Sequence, residues 1–223
     1  MSFATDRCAR DRWVVGDAVM ALFGAPIQRE DDAEQAVRTA LELCASMREI
    51  TAEITSRRDV SLAFGVGIHT GMVVAGNMGS PSRLNYTVIG DGVSLASRLE
   101  GLTKYYGVGA IVSEATRDAC PEIVCRELDL VRVKGRKAPL AIFEPIGFKD
   151  RVDQKVVLEL SRYHEGIQRF RAAAWSDALE IFDELACCAG ASPMPRLYLN
   201  RIRQMQKHPP GPGWDGVATF DQK

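Results

Sequence analysis

Asn85-Tyr86-Thr87-Val88-Ile89-Gly90-Asp91-Gly92-Val93-Ser94-Leu95-Ala96-Ser97-Arg98-Leu99-Glu100 reads as a strand, a glycine-containing turn and a helix. The Asn85–Ile89 part is rich in β-branched and aromatic residues, which suit a pleated surface. Beyond the turn, Leu95, Leu99 and Leu102 recur at i, i+4 and i+7 and form a core-facing stripe. Ser94 and Arg98 stand one turn apart on a different face, so a hydroxyl and a guanidinium point away from the core together. On an isolated helix such an arginine is most often simply solvated. Beside a glycine turn and a strand that carries Thr87, the pair is instead spaced to meet one ligand, and a nucleotide polyphosphate is the chemistry that fits.

The chain has 223 residues, enough for one sizeable core and a small appendage. Its 28 basic and 29 acidic side chains leave a formal charge of −1, which gives no general attraction to nucleic acid or to an anionic membrane. No apolar run approaches the ~20 residues that span a bilayer, so no membrane segment is expected in this chain. The six cysteines come without a secretion signal or the paired spacing of a zinc site. Cys120 and Cys125 lack a second pair, and Cys187-Cys188 falls in a helical pattern. Reduced thiols and a cytoplasmic location follow as expectations, with a membrane-anchored parent protein left open.

Apolar runs on both sides of Gly16-Asp17 predict a β-hairpin, closed by Gly24-Ala25-Pro26. From Asp31 the apolar positions recur at three and four, with acidic residues in the first turn, and predict a helix to about Thr55. Val60 to Val74 reads as two strands joined at His69-Thr70-Gly71. Further strands are expected at Val108–Val112, near Ile123–Lys134 and at Pro139–Pro145, with a short helix over Glu114–Ala119. Strands and helices mixed without regular βαβ alternation argue for an α+β sandwich. After Phe148 two helical patterns follow, near 154–173 and 176–189, and a third near 196–206. Tyr163, Gly166, Phe170, Ala178 and Phe182 lie in the first two, which resemble one tetratricopeptide-like helical hairpin, too short to bury a solenoid core alone. His208-Pro209-Pro210-Gly211-Pro212-Gly213 begins an extended tail in which Trp214 is expected to fold back onto apolar surface.

Five blocks, in order, resemble the catalytic domain of class III adenylate and guanylate cyclases. They are 15–26 (VGDAVMALFGAP), 65–71 (GVGIHTG) with 73–79 (VVAGNMG), the opening stretch, 133–137 (VKGRK), and 141–144 (AIFE). Together they cover roughly Val14 to Gly147. The resemblance implies a ferredoxin-like nucleotide cyclase sandwich over residues 1–148, lacking its first strand and helices. A small all-α helical tail would follow over 149–207, and an extended Pro/Gly-rich C-terminus over 208–223. It implies conversion of ATP to cyclic AMP and pyrophosphate with Mg2+ or Mn2+. Asp17 matches a metal ligand, Arg98 the transition-state arginine, Lys134 the lysine that holds the triphosphate, and Thr87 the base-reading position. Arginine's fork suits phosphate oxygens in a way that lysine's point charge does not.

Three positions depart from that family. Its first metal-binding aspartate lies several dozen residues before the second, whereas sixteen residues precede Asp17, and neither Asp6 nor Asp11 has the apolar strand context. The resemblance therefore implies an abrupt start inside the domain, with the first strand and its aspartate, and any sensory or anchoring sequence, expected to be lost or left out. Trp13 stands where an adenine-reading lysine is expected, and Ser94 where a transition-state asparagine is expected. The family also implies head-to-tail pairing, as a homodimer or with another cyclase domain, Asp17 coming from one domain and Thr87, Ser94, Arg98 and Lys134 from the other. Two alternatives to an adenylate cyclase are a non-catalytic cyclase-like module that binds nucleotide or pairs with a complete cyclase, and an interaction adaptor built on the helical tail.

Overall fold

The computed structural model describes residues 11–15, 17–57, 63–80, 83–133, 138–188 and 192–220. An antiparallel hairpin opens the chain, β1 (Asp11–Val15) with β2 (Ala18–Leu22), its register closing at Val15 opposite Ala18. The long helix α1 spans Asp32–Arg57. β3 (Val66–Ile68) precedes a two-stranded ribbon of β4 (Val74–Ser80) and β5 (Arg83–Ile89). Then come α2 (Asp91–Tyr106), β6 (Ala110–Ser113), the short α3 (Glu114–Asp118), β7 (Ile123–Val133) and β8 (Leu140–Phe148). Three helices follow, α4 (Gln154–Arg171), α5 (Trp175–Ala186) and α6 (Pro193–Lys207), and a last strand, β9 (Ala218–Phe220).

The main sheet has five strands in the order β3-β6-β8-β7-β9. β3 pairs with β6 and β7 with β9 in parallel, while β8 runs antiparallel to both its neighbours. Side chains alternate across its two faces, as a period of two requires. Ala110 and Val112 of β6 and Ala141 and Phe143 of β8 face α1, packing with its Val37, Ala40 and Cys44 stripe. Ile111 and Ile142, between them, face the other way, into a core shared with Leu95, Leu99 and Leu102 of α2. That second core is continuous with Tyr163, Ile167, Phe182, Tyr198 and Ile202 from the three C-terminal helices. Trp214 packs edge-on against Phe170, with ring centroids 5.5 Å apart, and lies 5.1 Å from Trp175.

One sequence expectation is corrected. The two strands read over Val60–Val74 do not pair as a hairpin: β3 joins β6 in the main sheet, and β4 joins β5 in the separate ribbon. The physical reason is α2, which follows β5 and returns the chain so that β6 lies parallel to β3, a crossover that a tight turn at His69-Thr70-Gly71 cannot make.

β7 carries a bulge: Glu127 pairs with Phe143 and Asp129 with Ile142, leaving Leu128 as the extra residue. A bulge leaves local ladder groups unpaired, and buried ones need partners from elsewhere. The C-terminal helices supply them. The Glu127 N–H donates to His164 Nε2 at 3.1 Å, and the Tyr198 hydroxyl donates to the Leu128 carbonyl at 2.7 Å. His164 must be neutral at Nε2 to accept that bond, and burial lowers its pKa below the ordinary 6.5, with Arg126 acting in the same direction and Glu127 against it. The folded state therefore binds fewer protons than the unfolded one in that range, and this contribution is complete above about pH 6.5 and lost as pH falls through the folded value. Denaturant unfolding of wild type and His164→Ala between about pH 7.5 and 5 should show a stability difference that narrows with acidification; a difference independent of pH would mean that His164 does not dock α4 through its neutral ring.

Candidate functional site

Gly90 turns the chain from β5 into α2. Its φ of 152° and ψ of 163° lie in a region open essentially to glycine alone, and it serves as the helix N-cap without a side-chain bond. Residues of α2 then divide cleanly: Leu95, Leu99, Leu102 and Tyr106 are buried, while Ser94 is exposed and Arg98 half-buried. Among the described residues, no hydrogen bond or ion pair engages the side chains of Ser94, Arg98 or Asp17. Other arginines nearby in sequence are satisfied internally, Arg117 by Asp118 at 2.6 Å and Arg126 by Glu144 at 2.7 Å.

Thr87 is half-buried in β5, directly opposite Gly76 of β4, so a residue without a side chain faces it across the ribbon. Thr87, Ser94 and Arg98 are thus carried by one continuous strand-turn-helix unit. Asp17 stands exposed at the tip of the β1–β2 hairpin, whose strands pair only with each other among the described residues. Strand pairing therefore does not join Asp17 to the unit that holds the other three. Trp13 lies in β1 opposite Met20, and Asp11 is the first residue of that strand. Asp6 and Lys134 fall outside the described residues; β7 ends at Val133, immediately before Lys134. Among the described residues no group of three or more His, Cys, Asp or Glu side chains is arranged to hold a metal ion.

Two features that sequence reading did not single out fix α2. Gly67 of β3 is one: a Cβ there would run into the Ala96 carbonyl oxygen and the Glu100 amide nitrogen, so the helix rides directly on the strand backbone. The other is a polar chain under the first turn of α2. His69 Nδ1 lies 2.8 Å from Ser113 Oγ, which lies 3.1 Å from Thr116 Oγ1, itself 3.1 Å from Thr70 Oγ1. A Cβ on Gly92, in that first turn, would sit 3.1 Å from the His69 ring. The G-x-G-I-H-T block held both residues in view, but spacing alone does not tell which backbone a glycine touches. At the opposite end of α2, about 20 Å along the axis from Ser94, Arg48, Gly107, Arg126, Glu144 and Ser192 line an open cleft of about 380 Å³. Burial raises the Glu144 pKa there, against the lowering pull of Arg126 and Arg48.

The chain belongs to the adenylate and guanylate cyclase catalytic-domain family, whose model matches residues 12–143. It is 37% identical over 133 residues to adenylate cyclase 1 of Rhizobium meliloti, covering 59% of this chain and 20% of that protein. It is 35% identical over 138 residues to adenylate cyclase of Anabaena cylindrica, covering 58% and 26%. The chain thus spans about a fifth to a quarter of the length of these curated relatives. Among solved structures it is similar to the adenylyl cyclase CyaB from P. aeruginosa, with a TM-score of 0.56 and 29% identity over 64% of this chain and 74% of that one. It is equally similar to the guanylyl cyclase Cya2, with a TM-score of 0.55 and 32% identity over 63% and 71%. The α+β cyclase fold expected from the sequence is therefore confirmed, while cyclases of both base specificities stand among its neighbours.

The β3–α2 contact yields a paired prediction. Gly67→Ala should destabilise the fold by about 2 kcal/mol or more, because backbone atoms cannot move aside as a side-chain tip can. Gly101→Ala, on the same helix with open space around its Cβ, should instead stabilise by about 0.5–1 kcal/mol. Chemical denaturation of the two variants beside wild type measures both signs.

Proposed function

We propose that this chain is a nucleotide cyclase domain that converts ATP to 3′,5′-cyclic AMP and pyrophosphate. One observation carries the reading: Ser94 and Arg98, without protein partners among the described residues, project from a helix whose neighbouring face is locked into the core. In the reaction the 3′-hydroxyl oxygen bonds to the α-phosphorus, the bond to the bridging oxygen of the β-phosphate breaks, pyrophosphate leaves and the hydroxyl proton is released. Arg98 would place its fork on the oxygens that gain charge as the α-phosphate becomes five-coordinate. Ser94 donates one hydrogen bond to the ribose or phosphate, directly or through water. Lys134 takes the β- and γ-phosphates, and Thr87 faces the base.

Asp17 fits Mg2+ or Mn2+ in part. A hard cation of this kind is commonly held by one or two carboxylates together with the substrate phosphates, and Asp17 presents one exposed, unpartnered carboxylate. When bound there, the ion would supply charge neutralisation on the triphosphate and a more acidic 3′-hydroxyl. Asp17 would hold the ion, and the strand-turn-helix unit the nucleotide.

Those two parts come from two copies of the chain in this reading. Val19 is 65% exposed beside Asp17, and Met72 (95%), Val74 (63%) and Ile89 (55%) form an apolar patch at the base of the ribbon that carries Thr87. Val74 and Ile89 face each other directly across that ribbon. Apolar side chains grouped this way next to the proposed site mark a surface to be covered by a partner, and a second copy would bring its own Asp17 to the first copy's Arg98. A non-catalytic module that binds nucleotide or pairs with a complete cyclase is the second reading, favoured by Trp13 and Ser94.

Purified chain incubated with Mn2+ and ATP, with cyclic AMP and pyrophosphate measured, tests the first reading, and GTP in a parallel reaction tests base choice. Arg98→Ala should lower kcat on the order of a hundredfold or more while shifting KM much less. Ser94→Asn should raise turnover by up to about tenfold, the worth of one better-placed hydrogen bond in the transition state. Thermal stabilisation by ATP without product would favour the non-catalytic module instead.

A further inference from the structure

We propose that the C-terminal segment from α6 to β9 is a latch on the nucleotide site, with Arg201 as its positioning residue. This rests on the cyclase reading above. Arg201 lies on α6, far from any phosphate the proposed site would hold, yet it ties together the two elements that carry that site. Its Nη1 donates to Asp129 Oδ2 of β7 at 2.6 Å, and its Nη2 donates to the Tyr105 hydroxyl in the last turn of α2 at 3.2 Å. The same Asp129 oxygen accepts from the Tyr106 hydroxyl at 2.8 Å. Asp129 is buried because the Leu128 bulge turns both residues to the α2 side of the sheet, where Leu128 joins the core and Asp129 meets Tyr106.

The rest of the segment repeats the pattern. Phe220 of β9 stacks edge-on against Tyr105, with centroids 5.0 Å apart, and lies 6.2 Å from Tyr106. β9 itself pairs with Val131, Arg132 and Val133, the three residues before Lys134, and Asp215 binds Arg132 at 3.0 Å. One segment therefore grips the end of α2 and the end of β7 together. A helix is a stiff rod, so fixing Tyr105 and Tyr106 fixes where Arg98 and Ser94 stand two and three turns away. β7 is the strand that leads into Lys134. With the latch seated, Arg98 on α2 and the end of β7 at Val133 hold a fixed separation. With it released, each is free to move against the other, and release by a partner or an upstream signal would lower turnover without touching a ligand-binding side chain.

Arg201→Ala alone leaves Asp129 buried without its cation and risks unfolding. The informative variant is the apolar replacement Tyr106→Phe/Asp129→Leu/Arg201→Met, which removes the fork and its acceptor together and keeps the volume. Two readouts are taken on the full chain: hydrogen exchange by segment, and kcat with KM. The latch predicts amide exchange about tenfold faster or more in residues 91–98, remote from the substitutions, together with a kcat about tenfold lower and KM within about threefold. Arg201→Lys, which keeps the charge beside Asp129 and loses the fork to Tyr105, should fall between. Faster exchange confined to β7, α6 and the last turn of α2, with kcat unchanged, would reduce the network to local packing and overturn the proposal. If the wild-type chain forms no cyclic nucleotide, the cyclase reading falls, and the exchange of residues 91–98 alone decides whether the latch exists.

Discussion

One extra residue in β7 governs how this chain is put together. Where Leu128 interrupts the ladder with β8, an amide and a carbonyl lose their strand partners in a region that the helices cover. Leaving either unmet would cost about 1–3 kcal/mol, so the surface over the bulge has to be polar at two points and apolar elsewhere. His164 and Tyr198 are those points, with Ile167, Phe170, Leu199 and Ile202 among the apolar residues that the same helices bury. The bulge thereby selects the orientation of α4 and α6 on the sheet. On α6 the neighbours of Tyr198 are Leu197 and Leu199, so a shift of that helix by one residue would put an apolar side chain against the Leu128 carbonyl.

The same irregularity decides which face Asp129 occupies, and through it Arg201 of α6 reaches α2 within a buried set. Burial and the Asp129 carboxylate hold the Tyr106 phenol well above its ordinary pKa, so it remains a hydrogen-bond donor at any physiological pH. Opposite charges at 2.6 Å in a site this dry contribute specificity of position more dependably than net stability. On the other face of the sheet the contacts are plainer. Val37, Ala40 and Cys44 of α1 lie over small and branched residues of β6 and β8, and no buried charge is needed to align them.

Much of this was legible in the amino-acid sequence because local periodicity carries it. The Leu95, Leu99 and Leu102 stripe is fully committed to the core, the first hairpin closes with Val15 opposite Ala18, and α1 ends within two residues of its expected limit. What the sequence concealed is long-range. In Glu127-Leu128-Asp129-Leu130-Val131 the alternation of polar and apolar residues reads as a regular strand, and nothing local says that Leu128 and Asp129 share a face. The separation of β3 from β4 was hidden for the same reason, since the partner that β3 takes, β6, lies more than forty residues further along the chain. Of the candidate site, Thr87, Ser94 and Arg98 could be placed on one unit from the sequence because they are neighbours along it, whereas the relation of Asp17 to them depends on contacts that no local pattern encodes.

The dimensions of the main sheet carry a last consequence. Its two longest strands, β7 with 11 residues and β8 with 9, lie inside the order, and the described strands at its two margins, β3 and β9, have three residues each. A margin that short offers another chain too few amides and carbonyls to template a growing ladder. At these two margins copies of the protein are thus poorly suited to fuse edge to edge, because so little of the long-stranded sheet is left there to copy.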